Sequence, residues 1–387
     1  MNFMGYERPD GRAGSRNHVA VIPGVVCAND VAQEICRRVD NCRGYFHHQG
    51  CCQLPPDLDR VTQCLTGLAL SGNVGAALIV SLGCEGTDCQ KIYDAVVASG
   101  KPAEIIRIQE LGGMANSISE GIKAAQRLSS AISPQQRVPI DISRLTLSIK
   151  CGASDATSGL ASNCVIGCVA DRLVDLGATV VFGETTEFIG AEHILARRAA
   201  TPEAGREILR IVGEMENRAK SLGCDMRKGQ PTPGNIAGGL SSIEEKSLGA
   251  IMKSGSRPIE GVLRYEEMVT VQKGLWIKDS PGREPEILTG MAVTGAQAML
   301  FSTGRGAPQG FPTMPVIKIC GNPITYEHMI NDMDLNAGRI ITGEASIDEV
   351  GEEAFDLLLE VLSGRTTKNE AVGYFGSIDI CPIGPVI

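Results

Sequence analysis

No stretch of this chain approaches the roughly 20 consecutive apolar residues that a membrane-spanning helix needs, so a transmembrane role is not expected. The chain also lacks any block of about five or more like charges, and its net charge is −9. Without a basic footprint, nucleic acid is not expected as a partner. The segment Met1 to Asp10 has no basic start, apolar run or small-residue cleavage site of an export signal, which makes the cytoplasm the expected compartment. Thiols stay reduced there, so the 14 cysteines are not expected to form a disulfide framework. The absence of a Cys-x-x-Cys pair disfavours a zinc ribbon or a thioredoxin-like redox site. Aromatics are scarce at 4%, whereas 46 glycines gather in short motifs rather than in a flexible tract. Such motifs point to tight loops where backbone approaches a ligand or another backbone.

What is present is an alternation of apolar runs and helical segments. His18-Val-Ala-Val-Ile-Pro, Gly44-Tyr-Phe-His-His, Val74 to Gly83 and Glu104 to Gln109 read as strands. Helical segments follow at Val31–Val39, from near Leu58, at Lys91–Ser99 and at Met114–Leu128. This βα rhythm predicts an α/β fold with a parallel sheet and helices on both faces. Ser129 to Ile140 has two prolines and no helical period and reads as a linker. Beyond it come the strand Leu145–Lys150, a helix over Asn163–Leu176, the strand Ala178–Glu184 and a long amphipathic helix over Glu203–Leu222. The expectation is a Rossmann-like N-terminal domain over residues 1–135 and a larger glycine-rich α/β domain over 136–387, with the active site between the two.

Ligands of parallel α/β sheets bind beyond the carboxyl ends of the strands. Cys51, Cys84 and Cys151 all fall at such ends, each beside glycine. Three thiolates on separate loops could hold one iron, or three corners of an iron–sulfur cubane with one position open to a substrate oxygen; they could equally be small core residues. Cys320 is a fourth candidate, while Cys164 and Cys168, four apart on a helix, are expected to face the core. His47 precedes the Gly50-Cys51 loop and could be a general base or simply pack. His18 sits at the wrong end of its strand for the site. Arg305 and Lys246, beside glycine-rich loops, suit a carboxylate substrate or are solvated charges. The Gly234–Gly239 stretch does not follow a predicted strand, so a dinucleotide site is rejected.

Taken together, Gly11–His18, His47–Cys51, Leu82–Glu85, Lys150–Asp155, Pro233–Gly239, Glu244–Gly249 and Phe301–Gly306 resemble the altronate/galactarate dehydratase family over nearly the whole chain. The resemblance implies an iron-dependent, oxygen-sensitive lyase that removes water from a sugar acid such as altronate to give a 2-keto-3-deoxy acid. It implies Cys51, Cys84 and Cys151 as ligands of Fe2+ or of a 4Fe–4S cluster with an open iron. His47 is then the first candidate base and Lys246 the second, with Arg305 holding a carboxylate. Glu85, Ser154 and Asp155 would orient hydroxyls or support the ligands, and Asn235 joins the substrate-binding set. Members of the family resemble a fusion with a small β-rich domain ahead of the part seen here, which implies a separate small subunit and an oligomer. The ending from Tyr374 to Ile387 departs from that of altronate dehydratases and leaves the small hydroxy-carboxylate substrate open. Release of bisulfite from sulfolactate is the alternative reaction. A non-catalytic subunit of a lyase complex and a structural iron–sulfur protein are the alternative roles.

Overall fold

Runs of small and β-branched residues that are buried over their whole length can only be covered on both faces, and two such runs organise the molecule. The computed structural model describes residues 1–229, 231–270 and 273–385. Its strands are β1 (Asn2–Glu7), β2 (Ala13–Gly14), β3 (His18–Pro23), β4 (Cys42–Gly44), β5 (Val74–Ser81), β6 (Ala103–Arg107) and β7 (Val138–Asp141). They continue with β8 (Thr146–Gly152), β9 (Thr179–Phe182), β10 (Ile259–Leu263), β11 (Gly274–Lys278), β12 (Ala298–Thr303), β13 (Val316–Cys320) and β14 (Leu335–Asn336).

The expected parallel α/β architecture is present twice. A four-stranded sheet in the order β4-β3-β5-β6 is parallel throughout, with Val21 opposite Leu78 and Ile79 opposite Ile105. Alternation sends Val19, Val21, Leu78 and Val80 to one face, against the helices Asn29–Arg38 and Met114–Ile132. Ala20, Ile22, Ala77 and Ile79 go to the other, against Pro55–Leu70 and Cys89–Ala98. A seven-stranded parallel sheet follows, in the order β10-β11-β9-β8-β12-β13-β14. Ile149, Val180, Leu300 and Ile317 pack one of its faces against the helices Asn163–Asp175 and Ile347–Leu362. Each such fully buried aliphatic side chain contributes about 1.5–3 kcal/mol. The opposite face, with Met299 and Phe301, shares a core with the four-stranded sheet through the helices Pro55–Leu70 and Glu284–Val293.

Three features differ from the sequence expectations. The segment read as a linker is partly ordered structure: the preceding helix runs to Ile132, and β7 pairs antiparallel with β1, Phe3 opposite Ile140. Of the run Gly44–His48 only Gly44 lies in a strand, β4; Tyr45 N still donates to Val21 O, and the chain leaves the sheet edge beyond it. β12, which lies directly beside β8, was not anticipated at all; Ala298-Met-Leu-Phe-Ser-Thr is a continuous apolar run too short to show a period.

Two clamps bind the sheets together. The Gly11–His18 motif is one: Ser15 donates to Asn73 Oδ1 and Gln297 O, and Arg16 donates to Val361 O, Arg365 O and the Glu370 carboxylate. Residues 378–384 form the other, with Ile378 and Ile380 in the shared core. Gln49 and Arg60 donate to Ile380 O and Cys381 O, and Asp57 accepts from the Ile383 and Gly384 amides. On the large-sheet side, Asp379 N donates to Thr289 Oγ1 and Arg283 reaches the Asp379 carboxylate at 3.1 Å. Val386 and Ile387, the last residues of the divergent ending, lie outside the described residues.

Candidate functional site

A cavity of about 470 Å³ opens at the carboxyl ends of β8, β9 and β11. Its lining runs from Cys151 to Glu284 and includes Ser154, Glu184, Glu187, Asn235, Lys246 and Arg283. β8 delivers Lys150 and Cys151 to its floor. Beyond β9 the backbone enters the left-handed region at Glu184 (φ 73°), a costly conformation for a residue with a side chain and one that concentrates at functional sites. A 3₁₀ turn follows over Thr185–Glu187. Residues three apart eclipse in such a turn, which places the Glu184 and Glu187 carboxyl groups on one side. Lys253 enters from beneath, on the short turn after the helix Ile243–Ile251.

These groups form a closed, fully buried network. Lys253 Nζ lies 2.7 Å from Glu184 Oε2, 2.8 Å from Glu187 Oε2 and 3.2 Å from Cys151 Sγ. Lys150 Nζ lies 3.2 Å from Glu184 Oε1, 3.5 Å from Glu284 Oε1 and 2.8 Å from Cys151 O. The Cys151 thiol donates to Glu187 Oε2 at 2.8 Å, and the Cys151 amide donates to Glu184 Oε2 at 3.0 Å. Gly152 is required here, since a Cβ would fall 2.8 Å from both Lys150 Nζ and Glu284 Oε1.

Burial pushes the Cys151 thiol up, and the Glu187 charge adds to that. It also pulls both carboxyl groups upward. In Glu187 the ammonium groups of Lys253 and Lys246 outweigh burial and bring it down to about 2. Glu184, with the Glu187 charge beside it, stays above the ordinary 4.5. Lys253 and Lys150 are both held protonated by their anionic neighbours despite burial. At the rim, Lys246 Nζ is 3.9 Å from Glu187 Oε1, and Arg283 is paired with Glu286 and Asp379.

Cys151, Glu184 and Glu187 could hold a metal ion: one ligand atom from each lies within 4.8 Å of the others. The donor chemistry fits, since two carboxylates and a thiolate suit a borderline divalent ion. A cation is in fact already stationed among them, the Lys253 ammonium. Among the described residues this is the one group of three or more His, Cys, Asp or Glu side chains so close together.

The residues singled out in the sequence separate into two places. Cys151, Ser154, Asn235 and Lys246 line the cavity. Asn235 caps its own short helix with Thr232 and donates to Ser154 O at 2.9 Å, which fixes the Ser154 loop. The buried Asp155 carboxylate accepts from Thr157, Ser158 and Asn322, so it is occupied in holding the same loop. Arg305 is exposed on the neighbouring loop, its amide bound to Ala153 O.

Cys51, Cys84, Glu85 and His47 stand elsewhere, on the loops at the carboxyl ends of the four-stranded sheet. Cys51 and Cys84 are exposed. The Cys51 and Cys52 sulfurs are 3.7 Å apart, and Gly86 N bonds Gly50 O, which brings the two loops together. Glu85 accepts from Gly83 N and the Cys89 thiol. His47 is buried, with Nε2 bonded to Pro23 O and Nδ1 accepting from Gln49 N, so neither ring nitrogen is open to a substrate proton. Burial lowers it to about 4. Cys320 is buried, its thiol on Asn322 O, whereas Cys164 and Cys168 are half-buried rather than in the core. Glu184, Glu187, Lys253, Arg283 and Glu284 were missed. Glu184 ends a run already read as a buried strand, so the strand-end rule that picked Cys151 also applies to it.

Comparison with known proteins shows the family of the chain. The D-galactarate/altronate dehydratase C-terminal family model matches residues 142–384, and the D-galactarate dehydratase/altronate hydrolase second-domain model matches residues 5–133. The chain is 37% identical to the (2R)-sulfolactate sulfo-lyase subunit beta of Chromohalobacter salexigens, over 96% of this chain and 95% of that one. It is 31% identical to the altronate dehydratase of Bacillus subtilis, over 95% of this chain and 75% of the relative. Against the L-threo-forming galactarate dehydratase of Escherichia coli it is 31% identical, over 94% and 73%. No helix among the described residues is long and apolar enough to cross a membrane. Matched along nearly its entire length, with a cluster of buried charge at the strand ends, the chain is an enzyme belonging to the D-galactarate/altronate dehydratase family.

Proposed function

We propose that the chain catalyses a β-elimination on a small hydroxy-carboxylate, removing water from a sugar acid such as altronate to give a 2-keto-3-deoxy acid. One observation carries this reading: a polar cavity of substrate size has two buried ammonium groups under its floor and two more cations at its rim. Arg283 and Ser154 hold the substrate, the guanidinium taking its carboxylate. The Glu284 carboxylate, partly exposed at the rim, takes the proton from the carbon next to the substrate carboxylate. The charge that develops faces Lys150, whose position is fixed by Glu184, Glu284 and Cys151 O before the substrate arrives, so little reorganisation is needed. The Lys246 ammonium, on the wall, protonates the departing hydroxyl. Iron is the ion we assign to Cys151, Glu184 and Glu187; when bound it would supply Lewis-acid stabilisation of negative charge. His47 and Glu85 are assigned to bracing the thiol loops. The cytoplasm is the compartment this reading assigns, since it keeps the thiols reduced.

The length match supports a second reading. The sulfo-lyase relative is 37% identical over 95% of its length and is one subunit of its enzyme, so bisulfite is the alternative leaving group and a separate small subunit the natural partner. Anaerobic incubation with altronate, galactarate and (2R)-sulfolactate, with and without a co-expressed small subunit, tests both. Keto-acid formation with a sugar acid supports dehydration, and bisulfite release supports the alternative. Turnover of none of them removes both.

A further inference from the structure

We infer that Lys253 is a tethered cation that competes with a divalent ion for Cys151, Glu184 and Glu187, so that loading the site requires its ammonium to leave. The inference rests on the reading of those three side chains as an ion-binding set. An ammonium has three N–H donors, and Lys253 Nζ has three partners, at 2.7, 2.8 and 3.2 Å, one from each side chain of the set. An ion bound by the same three atoms would sit at roughly 2.0–2.3 Å from each. One ligand atom from each side chain lies within 4.8 Å of the others, so an ion on the three atoms that Lys253 uses would lie on the ammonium or directly against it, two cations in a buried space.

Lys150 does not contest that point. It meets Glu184 through Oε1, the oxygen Lys253 does not use, and its other partners are Glu284 and the Cys151 carbonyl. The two lysines therefore differ in kind: Lys150 can stay when an ion binds, and Lys253 cannot. Without an ion, the buried carboxylates would lack their nearest counter-charge were it not for Lys253, and buried charges without partners are strongly destabilising. The lysine thus keeps the ligands assembled in the ion-free protein, at the cost of weaker ion binding.

Mn2+ titration followed by the paramagnetic resonance signal of the free ion tests this on the full chain, with Cys151→Ala identifying binding at this site. Lys253→Met should bind Mn2+ at least about tenfold more tightly than the wild type, because an adjacent like charge is gone. Lys150→Met should change affinity far less. In thermal melts, Mn2+ should raise the transition of Lys253→Met more than that of the wild type. Unchanged or weaker binding by Lys253→Met, or equal tightening in both variants, would overturn the inference. Should Lys253→Met fail to fold, a crystal structure of the wild type loaded with Mn2+ decides: Nζ must have left the three donors, and Nζ still within hydrogen-bond distance of all three, with the ion on the same atoms, refutes it. No Cys151-dependent Mn2+ binding in any variant would remove the ion-binding reading together with this inference.

Discussion

Two sheets in this molecule end in cysteine-bearing loops, and the two ends differ in what surrounds the sulfur. Cys51 and Cys84 are exposed on loops whose carboxylate, Glu85, is occupied by a backbone amide and a thiol. Cys151 is buried between two lysines and two glutamates. Position at a strand end is common to both and does not distinguish them. Burial does: charges that water screens at the first end interact more strongly at the second, so the same residue type is part of a buried charged network in one place and a surface thiol in the other.

The largest expected difference is in turnover. Lys246→Met should lower kcat by about 10²–10⁴, the usual loss of a general acid, whereas Glu85→Gln should leave it within a few-fold; steady-state assays on the same substrate check the pair. A comparable loss from Glu85→Gln would move the reactive centre toward the exposed loops. Stability comes next: Lys150→Met strips a partner from two carboxylates, one of them fully buried, and should cost about 3–5 kcal/mol in urea unfolding.

Acidification separates the ends by another few kcal/mol. His47 is lowered from 6.5 to about 4, so the stability it confers is complete above pH 6.5 and lost as the pH falls through 4, on the order of 3 kcal/mol. Glu187 is lowered from 4.5 to about 2, so its contribution is complete above pH 4.5 and disappears only toward pH 2. Urea midpoints measured against pH should therefore flatten between 6.5 and 4 in His47→Gln, whereas in Glu187→Gln they should be lowered by a constant amount above 4.5 and converge on the wild type only toward pH 2. Iron analysis of anaerobic protein sharpens the same comparison: Cys151→Ala should lose the metal while Cys51→Ala and Cys84→Ala keep it. Loss in all three would join the two ends into one centre. The smallest effect is expected for Arg305→Ala, an exposed side chain beyond the cavity, within about 0.5 kcal/mol of wild-type stability.

How much of this was readable in the sequence depended on how local the signal was. β5 is a nearly continuous apolar run and β8 alternates Leu147, Ile149 and Cys151 with polar residues, so the loops after them could be placed from the strands alone. Ser154, Asn235 and Lys246 sit in short glycine- or serine-bearing motifs and were found that way. Glu184 and Glu187 lie in Gly-Glu-Thr-Thr-Glu, where nothing local marks the left-handed residue or the turn that aligns the carboxyl groups. Lys253 had no signal, because its role depends on partners 66 to 102 residues away in the chain. His47 misled for the same reason: proximity to a cysteine is visible in the sequence, but occupation of both ring nitrogens by backbone is not.

The strap formed by residues 378–384 bears on how the molecule comes apart. It accepts from Gln49 and Arg60 and donates to Asp57 on one side, accepts from Arg283 and donates to Thr289 on the other, and contributes Ile378 and Ile380 to a core that both sheets share. Neither sheet can melt without exposing part of the other's interior. Calorimetry should therefore record a single cooperative transition, with the heat absorbed matching that inferred from the steepness of the curve, although the chain carries two parallel sheets that differ in size and chemistry.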